Sequence, residues 1–558
     1  MAKVCQTEGD CIEALRGVVK GDIALDEATL GRLSRDASLF SVKPAAAIFP
    51  KDADDLCRIV RWVQERRAEC PSLSLTARSG GTDMTGGPLT ESVVLDCSRY
   101  MNAFSIDEEK KVAIVEPGVF YRNFEPAAAR KHLLMPCYPA SKSIAAFGGM
   151  VMNNCAGEKT LRYGAMREWA ESMRVVLADG EVHELRPLNM IELTAKRARR
   201  DFEGYVYERM FRLIDGSYDR IRAAAPKTSK NASGYALWRV FDKERGIFDL
   251  SQLFVGSQGT LGLLADATLR LTPVKPHHRT VAIFFRSWDD LPAAVNKILP
   301  FHPENMEAFD DTTLKLGIRF MPEIAKKVGE PLWRFALRFW PEVVIGVRFM
   351  GLPKLIVLVE LSEDEQAVAD EKASDIAEAA RGMGLVARVL RDEADAEKYM
   401  TMRRESFNLL RKSVGGKRTA PFIEDFCVRP ERLPEFLPKL LALLKENGIR
   451  ANIAGHAGDG NYHIIPLMDM SDPKERAKIL PVLEKFVALV KEHGGTITAE
   501  HNDGIMRTPF LGQMFGDDIA ALFKEVKDIF DPHNIFNPGK KVGGTKEYLE
   551  AHLATTNN

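Results

Sequence analysis

Arg78-Ser79-Gly80-Gly81-Thr82-Asp83-Met84-Thr85-Gly86-Gly87 follows a strand-like alternation, Leu73-Ser74-Leu75-Thr76-Ala77, and precedes an apolar run, Val93-Val94-Leu95-Asp96. Consecutive glycines let backbone N–H groups close around an anion, and neighbouring hydroxyls add donors, which suits a pyrophosphate. Such a turn on its own is also a common structural device. It carries neither the GxGxxG of a Rossmann turn nor the GK[ST] of a Walker loop, which argues against both. Upstream, Asp52 is placed to cap a helix whose Leu56, Ile59, Val60 and Val63 share one face, and Ala45–Phe49 ahead of Pro50 reads as a strand. Strand, helix, strand, glycine loop and strand make an α/β unit with its loop at a strand end, where ligands bind.

The loop has companions. Pro139-Ala140-Ser141-Lys142-Ser143 leads into Phe147-Gly148-Gly149-Met150-Val151-Met152-Asn153-Asn154-Cys155-Ala156-Gly157, and Val255-Gly256-Ser257-Gln258-Gly259-Thr260-Leu261-Gly262 comes later. Between them lie strand-like Val112–Val115 and Val175–Ala178, the latter ending in an Asp179-Gly180 turn. The order and spacing of these segments resemble the FAD-binding domain of vanillyl-alcohol oxidase and the p-cresol methylhydroxylase flavoproteins over roughly 42–273. The resemblance implies that Arg78, Ser79, Gly80, Gly81, Thr82 and Asp83 hold the pyrophosphate. It assigns Ser143, Gly148, Gly149, Asn153 and Gly157 to the rest of FAD, with Gly259 and Leu261 in the third segment. The stretch near the first loop has no His or Cys for a covalent tether, so non-covalent FAD is expected.

Composition sets the outer bounds. The chain has 558 residues, room for three or four domains. With 45% apolar and 28% charged residues it is not a disordered chain. Its net charge of −1 gives no global footprint for nucleic acid, and no nucleic-acid partner is expected. Eight scattered cysteines without a CxxC pair read as neither a disulfide framework, a zinc ribbon nor an iron–sulfur run. No secretory leader or spanning helix is read, so the expected location is the cytoplasm, with peripheral attachment to its membrane as a reservation.

The second chemical signal is Gly455-His456-Ala457-Gly458-Asp459-Gly460-Asn461-Tyr462-His463, followed by Thr498-Ala499-Glu500-His501-Asn502-Asp503-Gly504. A lone His is more often structural than a ligand. Here a tight turn between two histidines can bring both imidazoles to one point, and two imidazoles with a carboxylate suit a divalent ion. Zinc is the expected ion, with manganese or iron as alternatives.

These segments resemble the FAD-linked D-2-hydroxy acid dehydrogenases that act on D-lactate, glycolate or D-2-hydroxyglutarate. The resemblance implies His456, His463 and Glu500 as metal ligands, His501 as base and Asn537, in Phe536-Asn537-Pro538-Gly539-Lys540, as a flavin contact. Ser34-Arg35-Asp36-Ala37-Ser38 fits the same group. Arg404 matches its carboxylate-binding arginine, a surface helix arginine being the bland reading; Lys230 and Arg507 are further candidates. The expected reaction is oxidation of a small D-2-hydroxy acid to the 2-oxo acid. The metal would hold the substrate, His501 would take the hydroxyl proton, and FAD would take hydride.

Three departures are visible. The family's Gly-Glu-His-Gly-Ile-Gly is Ala-Glu-His-Asn-Asp-Gly-Ile here, and Ile465 stands where some D-2-hydroxyglutarate enzymes place a substrate-binding Asn. The cysteine-rich iron–sulfur extension of many relatives does not occur, so electrons must pass to an external acceptor: a quinone, a cytochrome or an electron-transfer flavoprotein. Rival readings are a metallohydrolase, a flavin oxidase of another substrate and a non-catalytic flavoprotein subunit. A homodimer is left open.

The fold class expected is α+β, divided into a helical segment 1–41, a two-part FAD-binding domain 42–275, a substrate (cap) domain 276–450 and a C-terminal segment 451–558 carrying the metal site and flavin contact. A further departure, an insertion at 315–354, carries eight basic, three acidic and six aromatic residues. Its Leu332, Trp333, Ala336, Leu337 and Trp340 fall on one helical face, with Arg334 and Arg338 four apart. It reads either as helices packed on their own domain or as a basic amphipathic surface for an anionic bilayer or a protein.

Overall fold

The computed structural model describes residues 8–329, 331–392, 394–403 and 417–556. Three sheets carry the architecture. The first pairs Ala46–Phe49, Val93–Asp96 and Leu75–Arg78 in parallel, with Asp22–Ala24 antiparallel at one edge. Helix Ala53–Glu65 covers it, capped by Asp52, whose side chain accepts from the Asp55 N–H at 2.8 Å. Leu56, Ile59, Val60 and Val63 of that helix are buried in one cluster with Ile48, Leu75, Val93 and Leu95. The periodicity read in the sequence is thus a packing face.

The second sheet is antiparallel, in the order Phe104–Asp107, Val112–Val115, Leu263–Arg270, Ala170–Val176, Val182–Leu185. Gly180 turns its last hairpin at φ 73°, a conformation glycine adopts without strain. The third sheet has eight antiparallel strands. Val386–Val389, His277–Phe285, Leu355–Glu363, Asn305–Asp310, Arg450–His456, Asn461–Met468 and Arg418–Thr419 follow in order, and Phe426–Cys427 also pairs with Asn461–Met468. The strands bearing the histidines, drawn in the sequence into a segment from 451, lie inside this cap sheet. Helices Leu291–Ile298, Gln366–Gly382, Leu433–Glu446 and Ile479–Glu492 bury their apolar faces in its principal core.

Two expectations are corrected. Cys11 and Cys70 form a disulfide, Cα atoms 6.9 Å apart across 59 residues. Spacing gave no sign of it, because packing of the N-terminal helix into the Ala53–Glu65 cluster brings them together. The insertion, in which 331–340 is expected to present one helical face, breaks between Leu337 and Trp340. It is four short helices, Asp311–Arg319, Met321–Val328, Leu332–Leu337 and Trp340–Phe349. Phe335, Phe339 and Ile345 point to the core while Leu332, Trp333, Leu337 and Trp340 are exposed. Among the described residues no helix is long and apolar enough to cross a membrane.

Candidate active site

The three glycine segments converge. Gly149 N–H donates to Ser79 Oγ at 2.9 Å, joining the first segment to the second. Asp83 accepts from the Thr85 and Gly87 N–H groups at 2.7 and 3.0 Å, from Asn153 Nδ2 at 2.9 Å and from Gln258 Nε2 at 3.4 Å, so one carboxylate ties all three. Close approach demands glycine at two points. A Cβ on Gly157 would stand 2.1 Å from the Tyr138 carbonyl oxygen, and one on Gly148 would stand 2.8 Å from that of Pro117. Among the described residues, the backbone N–H groups of Gly80, Gly81 and Thr82 meet no protein acceptor. Such free donors fit a diphosphate.

Other residues assigned to FAD by sequence do different things. Arg78 donates to the carbonyls of Arg35 and Leu33 at 2.8 and 3.3 Å. Asn537 donates to those of Gln258 and Gly87 at 2.7 and 3.0 Å and accepts from Thr76 Oγ1 at 3.2 Å, so it pins two loops and a strand. Ser143 is exposed, its carbonyl held by Arg122. Leu261 is core, and Gly259 holds φ 67° in the third turn.

The imidazole cluster is set by strand register. Ala454 pairs with His463 and His456 with Asn461, so the pleat puts both histidines on one sheet face. Gly460 at φ 69° closes the turn where a Cβ would meet the Val428 carbonyl oxygen at 1.9 Å. His456 Nε2 lies 3.2 Å and His463 Nε2 4.0 Å from Glu500 carboxylate oxygens. Donors around a tetrahedral zinc sit about 3.3 Å apart, given bonds of roughly 2.0 Å. Glu307, opposite His456 on Asn305–Asp310, accepts from its Nδ1 at 2.5 Å and leaves Nε2 facing Glu500, the arrangement in which Nε2 could ligate an ion.

His501 faces the same space. Its ring stacks on His463 with centroids 5.2 Å apart, and Glu424 Oε2 accepts from its Nδ1 at 2.7 Å. Burial disfavours the imidazolium, but Glu424 and Asp425 outweigh it and push His501 up to about 10. Burial lowers His463, whereas at His456 the neighbouring Glu307 overcomes burial and raises it. Burial alone would raise the carboxyls of Glu500 and Glu307. Lys230 and His456 hold Glu500 well below the usual range, and Arg403 and His456 hold Glu307 at about 2.

A second group, Glu424, Asp425, His463 and His501, also converges. Its carboxylates are engaged, however. Asp425 accepts from the N–H groups of Ala499, Glu500 and His501 at 3.1, 3.0 and 2.7 Å, shaping the loop that carries His501. Glu424 binds His501 with one oxygen and Arg507 with the other, at 2.7 Å. Of the described carboxylates, Glu500 is the one that closes on both strand histidines.

The loop beyond His501 docks on the glycine segments. Asn502, at φ 68°, donates to the carbonyls of Gly256 and Asn153 at 2.9 and 3.2 Å. Asp503 accepts from the Gly234 N–H and from Lys541, both at 2.8 Å. Of the two residues beyond His501 that depart from the expected pattern, Asn502 fastens the His501 loop to the second and third glycine segments and Asp503 ties it to Gly234 and Lys541. Lys230 is fully buried, 2.6 Å from Glu500 and 3.3 Å from Asp459, and Arg507 holds Glu424; neither is free for a substrate carboxylate. Ile465 is an apolar neighbour of His463 on the same face. Arg404 lies outside the described residues; Arg403 beside it reaches Glu307 at 2.6 Å. Glu424, Glu307 and Asp425 were missed by sequence reading. Adjacent acids at 424–425 ahead of an apolar Phe426-Cys427-Val428 strand were the one available sign.

Residues 44–186 match the family model described as FAD binding domain, and 274–541 match FAD linked oxidases, C-terminal domain. A D-2-hydroxyglutarate dehydrogenase of Pseudomonas putida is 30% identical over 95% of this chain and 51% of its own length. This chain thus spans about half the length of that relative. A D-lactate dehydrogenase of Archaeoglobus fulgidus is 29% identical over 90% of this chain and 93% of its own. Among solved structures, a 4-ethylphenol oxidase from Gulosibacter chungangensis aligns at TM-score 0.70 with 20% identity, covering 98% of this chain and 99% of its own. Substrate-bound p-cresol methylhydroxylase aligns at 0.67 with 16% identity, covering 98% of each. The first match contains the first two glycine segments and the second contains the imidazole cluster, so the chain carries an FAD-binding domain and a C-terminal domain of the FAD-linked oxidase kind, on the p-cresol methylhydroxylase type of flavoprotein fold.

Proposed function

We propose that the protein oxidises a small D-2-hydroxy acid, of the D-lactate kind, to the 2-oxo acid with non-covalent FAD and a divalent metal. The observation that carries this reading is the fastening of His501 to the flavin loops through Asn502, beside a two-histidine, one-carboxylate set. FAD supplies the acceptor for the hydride lost from C2, and a divalent ion, zinc being the best fit to this donor set, supplies charge for the substrate's carboxylate and hydroxyl oxygens. The chain's own residues do the rest. His456, His463 and Glu500 hold the ion, with Glu307 fixing the His456 tautomer. Without the ion Glu424 and Asp425 hold His501 protonated; the ion's positive charge would oppose them and bring the imidazole down, so that its Nε2 takes the hydroxyl proton, Nδ1 being committed to Glu424. Loss of that proton and of the C2 hydrogen with its electron pair leaves the 2-oxo acid.

Electrons then leave to an external acceptor, a quinone, a cytochrome or an electron-transfer flavoprotein, with the protein working on the cytoplasmic side as monomer or homodimer. Anaerobic mixing with a panel of D- and L-2-hydroxy acids tests the reading. D-acids should bleach the flavin's visible absorbance and L-acids should not. Bleaching by neither series overturns it.

A further inference from the structure

Ten of the 21 exposed large apolar side chains among the described residues lie between Ile318 and Leu352, a small part of the chain. On helix Trp340–Phe349 the outward positions Trp340, Val343, Val344 and Val347 recur at i, i+3, i+4 and i+7, where a water-facing helix carries polar groups. Trp333 is 67% exposed, Trp340 66%, Val347 75% and Met350 94%. The inward side is already filled by Phe335, Phe339 and Ile345, so this outer face is a second apolar face.

Its electrostatics are one-sided. The stretch 315–354 carries a net charge of +5, from eight basic and three acidic residues. One of those acids, Glu342, turns inward to Arg388 and Lys398 at 3.1 and 3.2 Å. Arg334, next to Trp333 in the chain, and Arg348, near the end of the second helix, are exposed. At the patch edge, next to Met350, a cavity of about 380 Å³ is lined by Arg286, Lys315 and Lys354 around a single carboxylate, Asp311. Asp311 holds the two lysines at 2.9 and 3.1 Å, leaving excess positive charge in a hollow large enough for a phosphate headgroup.

We propose that helices Leu332–Leu337 and Trp340–Phe349 dock this protein on an anionic lipid bilayer, with Trp333 and Trp340 in the headgroup region and the basic rim on the lipid phosphates. Tryptophan favours that interface, and basic residues add attraction to anionic lipid. A second copy of the chain is the poorer occupant, since a self-facing patch would set +5 against +5. Docking here brings a reduced flavin to acceptors dissolved in or held at the membrane. The surface argument does not rest on the catalytic reading, because binding is read without turnover.

The test is co-sedimentation of the 558-residue chain with phosphatidylcholine vesicles, with and without roughly one-third phosphatidylserine. The protein should pellet with the anionic vesicles at low salt and leave them as salt rises. Trp333→Ala with Trp340→Ala should weaken binding at least tenfold at unchanged Tm, both rings being exposed. Arg334→Gln and Arg348→Gln should each weaken it about fivefold. Failure to pellet at low salt overturns the proposal, as does binding unchanged in the tryptophan pair. So does salt-insensitive dimerisation that the tryptophan pair abolishes, which would give the face to a second copy.

Discussion

Glu424 Oε2 accepts a hydrogen bond from His501 Nδ1 at 2.7 Å, while the other oxygen of Glu424 is held by Arg507 at the same distance. A buried carboxylate anchored on one side thus fixes the orientation of the His501 ring, and its charge helps raise the imidazole to about 10. A raised pKa means that the pairing stabilises the fold fully below the ordinary value of 6.5 and that this contribution is lost as pH rises toward about 10. In metal-free protein, Tm should therefore fall across that window, and Glu424→Gln should flatten the slope. Calorimetry of both proteins over the window checks it; equal slopes contradict the assignment.

His501→Asn separates base from ligand. Metal and flavin contents should stay at wild-type levels, since neither the metal ligands nor the glycine loops are touched. Flavin reduction by the best acid should slow by roughly 100- to 10,000-fold, the usual worth of a positioned general base. Stopped-flow rates equal to wild type would remove the role.

Glu307→Gln addresses the ion. His456 loses the carboxylate that selects its Nε2 as ligand atom, and metal affinity should drop about 10- to 100-fold. His456→Ala should empty the site further. FAD should remain bound in both, because its loops are elsewhere in the chain. Metal analysis alongside the flavin-to-protein absorbance ratio reads the two separately, and FAD loss with full metal retention would reverse the assignment.

Gly157→Ala bears on the flavin cradle. Its Cβ would fall 2.1 Å from the Tyr138 carbonyl oxygen, and backbone cannot swing aside as a long side chain can. Tm and FAD occupancy should both fall. Gly149→Ala, whose Cβ would meet only Ser79 Oγ at 3.4 Å, should leave Tm close to wild type. Identical melting of the two variants would show that close backbone approach at 157 does not matter.

The sequence by itself determined the local chemistry: where glycine permits a tight loop, which face of Ala53–Glu65 is apolar, and that His456 and His463 flank a turn. These follow from periodicity and turn propensity, which act over a few residues. Tertiary structure alone decided which groups meet. Glu307 reaches His456 across 149 positions, Glu424 reaches His501 across 77, and Asn502 reaches Asn153 across 349. Strand register and loop docking set those pairings, and neither leaves a pattern in the residues near the partner. The insertion shows the same limit. Its residues put Leu332, Trp333, Leu337 and Trp340 together, but which side would face water was decided by packing: Phe335 and Phe339 turn inward onto a cluster that holds Phe284 of the sheet and Tyr399 of a neighbouring helical segment.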